Sequence, residues 1–277
     1  MIRTCDVGLQ TDPGSLQFSV RGNSVVRYDT ACTPPGFRNL RVAERLLTSC
    51  DGAPAVRIGH GNVNGLSFVL SENSGFKPPG ELFTRTLTCR RGSASVGFRH
   101  EMSWCDSHGN PAVHTTLTSR IAPACSGGAT IDLCLQFMAP DTEPVHLGQT
   151  DCALLSMRLA GCMQPRFGGL WRNGLGDCEL EQIEGRRSAW ISCTGVTEGA
   201  TIGVVVLDHP DNLTYPSAWR IADDRTVAAA AFETCSMTLL PRESVAIRYR
   251  IQTYADYVDD AWASARAGEF ADEPLRL

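Results

Sequence analysis

Apolar and polar residues alternate with a period of two along much of this chain. In AVHTTLTSRIA the residues Val113, Thr115, Leu117, Ser119 and Ile121 share one face, and in ATIDLCLQF so do Ile131, Leu133, Leu135 and Phe137, with SGG supplying a turn between them. SVAIRYRIQTY sets Val245, Ile247, Tyr249 and Ile251 against Ala246, Arg248, Arg250 and Gln252, the pattern of a strand with one buried and one wet face. LQFSV and SVVRYD flank RGN, which reads as a hairpin with a Gly-Asn turn. The run Ile202 to Leu207 is apolar but for Gly203 and reads as a buried strand.

Short strands at hairpin spacing, punctuated by glycine and proline and without a βαβ rhythm, predict an all-β antiparallel β-sandwich. Helix is confined to the end. There DYVDDAWASARAG has an acidic opening, a stripe of Val258, Trp262 and Ala265, and Gly268 as a stop. NLRVAERLLTS reads equally as a helical turn or as strand and loop. No repeat or linker divides residues 1–277, so a single domain is expected.

A hydrophobic fraction of 43% over 277 residues can fill a sizeable core. The net charge of -5 is spread along the chain, and no basic cluster interleaved with aromatics marks a nucleic-acid footprint. No apolar run approaches a membrane span, and MIRTCDVGLQTD lacks the apolar core of a signal peptide, so a cytoplasmic protein without membrane contact is expected. The 12 cysteines are scattered without C-x-x-C spacing and read as small buried hydrophobes. Neither metal nor cofactor is implied.

Candidate chemistry gathers where strands end. The run from Ile202 delivers Asp208 and His209 to a sheet rim, followed by Pro210, Asn212, Pro216, Trp219 and Arg220. His209 can serve as general acid or base with Asp208 as its partner, Trp219 as a stacking wall and Arg220 as an anion clamp. Equally, Asp208 and Asn212 can cap a turn, His209 can bond to backbone, and Trp219 can be core. In RIGHGNVNGLSFVL, His60, Asn62 and Asn64 stand between glycines ahead of a strand from Leu66 to Leu70, facing a polar ligand or forming an ordinary hairpin loop. WCDSHGN reads as a solvated turn. The nucleophile-elbow, zinc-protease and dinucleotide signatures are absent.

The succession GHGNVNGL, TDCALLSMRLAG, GRRSAWISCTG, TIGVVVLDHPDNLTYPSAWR and LLPRESVAIRYRIQTY resembles the bacterial domain family labelled "methane oxygenase PmoA-like", a family of unknown function, over about residues 35–270. The resemblance implies a mutarotase-like supersandwich associated with sugar metabolism. Its strand-end motif falls on Asp208, His209, Pro210, Asn212, Trp219 and Arg220, and its arginine on Arg158. The chain departs from the family's DHPHHRGL loop, retaining His60, Gly65 and Leu66 but carrying asparagines and valine where a His and an Arg are expected.

The expectation is a small-molecule enzyme working by general acid/base chemistry on a carbohydrate or glycoside-like substrate, as hydrolase, lyase or isomerase. Asp208, His209 and His60 would be catalytic, and Arg158, Asn62, Asn64, Asn212, Trp219 and Arg220 would bind substrate. A cyclase or isomerase of a specialised-metabolite pathway, with an apolar cleft, and a non-catalytic ligand-binding domain are the alternatives. A homodimer through a sheet edge or the C-terminal helix stays open. Convergence of His60, His209 and Arg158 on one cleft separates these readings.

Overall fold

The computed structural model describes residues 6–50, 53–69, 79–124, 127–223 and 225–274. Among them, two eight-stranded antiparallel sheets stack face to face. Sheet one runs, in spatial order, through Val7–Asp12, Ser15–Val20, Asn23–Asp29, Gly36–Arg38, Val56–Ile58, Leu155–Arg158, Thr226–Ala230 and Ala218–Ala222. Sheet two runs through Leu170–Asn173, Trp190–Thr197, Ala200–Asp208, Ser244–Ala255, Ala129–Met138, Pro111–Pro123, Val96–Cys105 and Glu81–Arg91. This is the all-β antiparallel sandwich that the alternation predicts.

The inward faces make one core. Val113, Thr115, Leu117, Ser119 and Ile121 are all buried, as are Ile131, Leu133, Leu135 and Phe137. Tyr28 of sheet one stacks on Phe98 of sheet two with ring centroids 4.3 Å apart. A polar link crosses the same interface, where the Tyr28 hydroxyl lies 2.8 Å from His100 Nδ1 and Thr84 Oγ1 lies 2.9 Å from Nε2. Burial holds the His100 pKa down to about 4, so this ring is neutral at pH 7.

The outer face of sheet two departs from the expected pattern. Arg248, Arg250 and Gln252 are buried, although their alternation predicts a wet face. The reason is the C-terminal helix, Asp260–Ala271, which lies across that face. Val205, Leu207, Trp190 and Tyr254 pack outward against its Ala263 and Phe270, so Ile202–Leu207 is buried on both sides. The helix is capped by Asp259, whose carboxylate accepts the Trp262 N–H at 2.8 Å. It continues through Gly268 rather than stopping there, and its buried stripe is Ala263 and Phe270, with Ala265 exposed.

Local turns refine the rest. The hairpin of Ser15–Val20 with Asn23–Asp29 turns on Arg21 and Gly22, both at positive φ, one residue before the expected Gly-Asn pair. NLRVAERLLTS holds a small hairpin of Arg41–Val42 with Arg45–Leu46. Leu66 and Ser67 form isolated bridges instead of a strand, and Leu70 lies outside the described residues, as does Ser126 of the SGG turn. Asp106 pins the WCDSHGN turn by accepting the backbone N–H groups of His108 and Asn110, each at 2.9 Å. No helix among the described residues is long and apolar enough to cross a membrane.

Candidate functional site

The two histidine loops prove to be the same local device. His60 Nδ1 accepts the backbone N–H of Asn62 at 3.0 Å, and His209 Nδ1 accepts that of Asp211 at 3.1 Å. Each imidazole ties down an amide two residues on, and each is 1% exposed. His60 lies inside the sandwich, its ring centroid 4.5 Å from that of Phe232 and 6.1 Å from that of Phe137. His209 lies under the C-terminal helix, edge-on to Phe270 at 4.9 Å.

Around His209 the polar groups are buried and turned on one another. Asp208 Oδ1 accepts from Asn212 Nδ2 at 2.5 Å, and Oδ2 accepts the Ser217 N–H at 2.6 Å. Asn212 also bonds both backbone groups of Arg248, donating to its carbonyl and accepting its N–H at 2.7 Å each, so the amide extends the ladder of the Ser244–Ala255 strand. Burial pushes the Asp208 carboxyl up while these hydrogen bonds pull it down. The Arg248 guanidinium approaches His209 Nε2 at 2.7 Å. Two donors thus face a ring that, when neutral, has one acceptor nitrogen; burial and the neighbouring guanidinium hold its pKa below the ordinary value.

These placements correct several expectations. Trp219 faces the core, 1% exposed, and its indole N–H lies 2.9 Å from the Ser188 carbonyl, so it presents no wall to a ligand. Asn62 donates to the Gln149 carbonyl at 3.1 Å. Asn64, at φ 51° in the left-handed region, forms the hairpin turn with Gly65 and accepts the His146 N–H at 2.7 Å. Arg158, on the outer face of sheet one, lies 3.5 Å from Asp223. His60, His209 and Arg158 therefore sit in the core, beneath the helix and on the opposite sheet, and do not converge on one cleft.

A different convergence exists. On the outer face of sheet one, strand registry lines up Arg57, Ser156, Ala228 and Arg220 across four neighbouring strands. They line a cleft of about 310 Å³ together with Gly59, Asp151, Cys152 and an apolar rim that includes Pro34, Ile58 and Val69. The cleft thus joins the start of the GHGNVNGL loop, the TDCALLSMR segment and the end of the TYPSAWR segment. Of the nine predicted site residues, only Arg220 lines it.

The cleft offers donors and acceptors with little net charge. Arg220 is paired with Glu184 at 2.7 Å and with Glu233. Arg57 donates from Nε to the Pro54 carbonyl at 2.8 Å, and Asp151 supplies an exposed carboxylate. Ala222 and Ala228 leave room on the floor where larger side chains would fill it. Gly59 is fixed by packing, because a Cβ there would collide with the Phe68 carbonyl oxygen. Arg57 and Ser156 escaped the motif reading, although each is a polar residue between apolar neighbours in its strand, in VRI and LSM. Among the described residues, no group of three or more His, Cys, Asp or Glu side chains is placed to hold a metal ion.

Residues 55–267 match the model of a family described as "Family of unknown function (DUF6807)". The search of curated proteins gives no match. Among solved structures, the chain is similar to a protein described as a kojibiose phosphorylase from human microbiome, at 10% identity and a TM-score of 0.41, over 99% of this chain and 37% of that one. It is also similar to a glycoside hydrolase family 97 enzyme in complex with acarbose from Pseudoalteromonas sp. strain K8, at 7% identity and a TM-score of 0.37, over 89% of this chain and 34% of that one. The chain spans about a third of the length of these two structures.

Proposed function

We propose that this chain, which belongs to the family of unknown function DUF6807, takes a small, largely uncharged carbohydrate or glycoside-like molecule into the cleft on the outer face of sheet one. The observation that carries this reading is the meeting of three distant segments on one cleft. Guanidinium forks at Arg57 and Arg220 donate to ligand hydroxyls, Ser156 and Asp151 accept from them, and Ile58, Val69 and the alanine floor meet carbon faces.

The reaction this lining favours is a single proton transfer with Asp151 as base or acid. Among the described lining residues Asp151 is the only carboxylate. Glycoside hydrolysis ordinarily uses a carboxylate pair, so isomerase or lyase chemistry fits the cleft better. A purely ligand-binding domain is the second reading, favoured by the engagement of both histidines in their own turns.

Calorimetric titration with a panel of monosaccharides and glycosides tests the proposal. At least one should bind saturably to the wild type, at least ten-fold more weakly to Arg57→Gln, and not at all to Ser156→Phe, which fills the cleft from a half-buried position. Binding unaffected by Ser156→Phe would remove the cleft from the account. Asp151→Asn then separates the two readings, since an enzyme would lose turnover while keeping affinity.

A further inference from the structure

A second cleft of about 310 Å³ opens on the other side of the molecule, on the outer face of sheet two beside the end of the C-terminal helix. Thr118, Arg120, Asp132, Cys134, Arg248 and Glu273 supply its polar lining, and Phe270 forms one wall. Three of its charges close on one another together with the neighbouring Arg250. Asp132 accepts from Arg120 Nε at 2.9 Å and from Arg250 Nε at 2.5 Å, and Glu273 Oε2 accepts from Arg250 at 2.8 Å and Arg120 at 3.2 Å.

Arg248 is the charge left over. Its side chain is 9% exposed, and its close partners are uncharged: the His209 ring at 2.7 Å, the Glu273 backbone carbonyl at 2.9 Å and the Phe270 ring at 5.4 Å. Among the described residues, the carboxylate nearest to it is that of Asp211, at 3.8 Å on a side chain that is 77% exposed. A buried guanidinium that lines an open cavity and whose one ion pair among the described residues is a long contact to an exposed carboxylate favours an anion there. The geometry also names the kind of anion, because the Glu273 carboxylate already rests on Arg120 and Arg250 at the cleft edge.

We propose that this cleft is a second binding site, one for a small organic carboxylate held by Arg248 and Arg120. The ligand's carboxylate would meet the two guanidiniums, and Thr118 would bond a neighbouring hydroxyl or carbonyl oxygen. The site is independent of the carbohydrate cleft, which lies on the opposite sheet.

Titration calorimetry with acetate, succinate and glucuronate is carried out on Ser156→Phe protein, so that the sheet-one cleft is filled and the two proposals fail separately. One-site saturable binding of at least one carboxylate is expected. It should weaken at least ten-fold in Arg248→Gln and vanish in Thr118→Trp, which fills the cleft without touching the His209 corner. Glu273→Gln, which removes the competing internal carboxylate, should tighten binding several-fold. No binding of any of the three, affinity unchanged by Thr118→Trp, or an equal response to sodium chloride at matched ionic strength would overturn the proposal.

Discussion

The two histidine corners share a backbone device and differ in everything placed around it. In sequence they run Gly59-His60-Gly61-Asn62-Val63 and Asp208-His209-Pro210-Asp211-Asn212. In both, the imidazole accepts the amide two residues on. At the second corner Asp208 and Asn212 add a buried network that stitches the turn to Ser217 and to the Arg248 backbone. At the first, Gly59 and Val63 occupy those positions, and the Gly59 backbone packs where a side chain would strike Phe68. One corner is held by hydrogen bonds and the other by close packing. A histidine at a strand rim is thus first a solution to ending a strand.

The comparison predicts unequal costs. Asn212→Ala leaves a buried carboxylate and two backbone groups of Arg248 short of partners, and should lower stability by roughly 3 kcal/mol or more in urea unfolding. Asn62→Ala removes one bond to a carbonyl near the surface and should cost about 1 kcal/mol. Equal losses at the two asparagines would erase the distinction between the corners.

Removing the rings should make the corners look alike again. His60→Ala and His209→Ala each lose a turn bond and leave a buried gap, at a cost on the order of 2 kcal/mol. Carbohydrate binding, measured on protein that remains folded, should survive both. Loss of binding in His209→Ala at unchanged stability would restore that histidine to the site.

A smaller effect follows from pH. His209 and His100 have folded pKa values below their unfolded ones, that of His100 at about 4. The unfolded chain therefore takes up protons first as pH falls below about 6.5, and folding stability declines from there until the folded rings protonate. For His100 the decline runs from about pH 6.5 to about pH 4, and His209 adds to its upper part. Urea midpoints from pH 7.5 to 4 should trace this fall, and His209→Gln should make it shallower. A flat profile would mean that neither ring is held neutral by burial.

Much of the fold was legible because strand alternation is a local property. Val113 to Ile121 and Ile131 to Phe137 face inward as their period dictates. The wet face assigned to Arg248, Arg250 and Gln252 was not, because its cover arrives from a helix beginning some ten residues after Arg250, and no strand pattern records what will dock on it. The motifs mark segments that meet at the sheet-one cleft, but of the nine residues they single out only Arg220 lines it. Asp208, His209 and Asn212 stand out in sequence for the reason that they build a corner, whereas Arg57 and Ser156 become neighbours only when strands 99 residues apart pair. Trp219 and Arg220 show the same division within two residues, since alternation along one strand sends the indole into the core and the guanidinium to the cleft.

Hydrogen–deuterium exchange with and without a saturating carbohydrate tests most directly whether the sheet-one cleft, and not the histidine corners, receives the ligand. The account predicts new protection in peptides covering 55–59, 151–158 and 218–228, with residues 208–212 unchanged. Protection centred on residues 60–64 and 208–212, with none around Ser156, would contradict it.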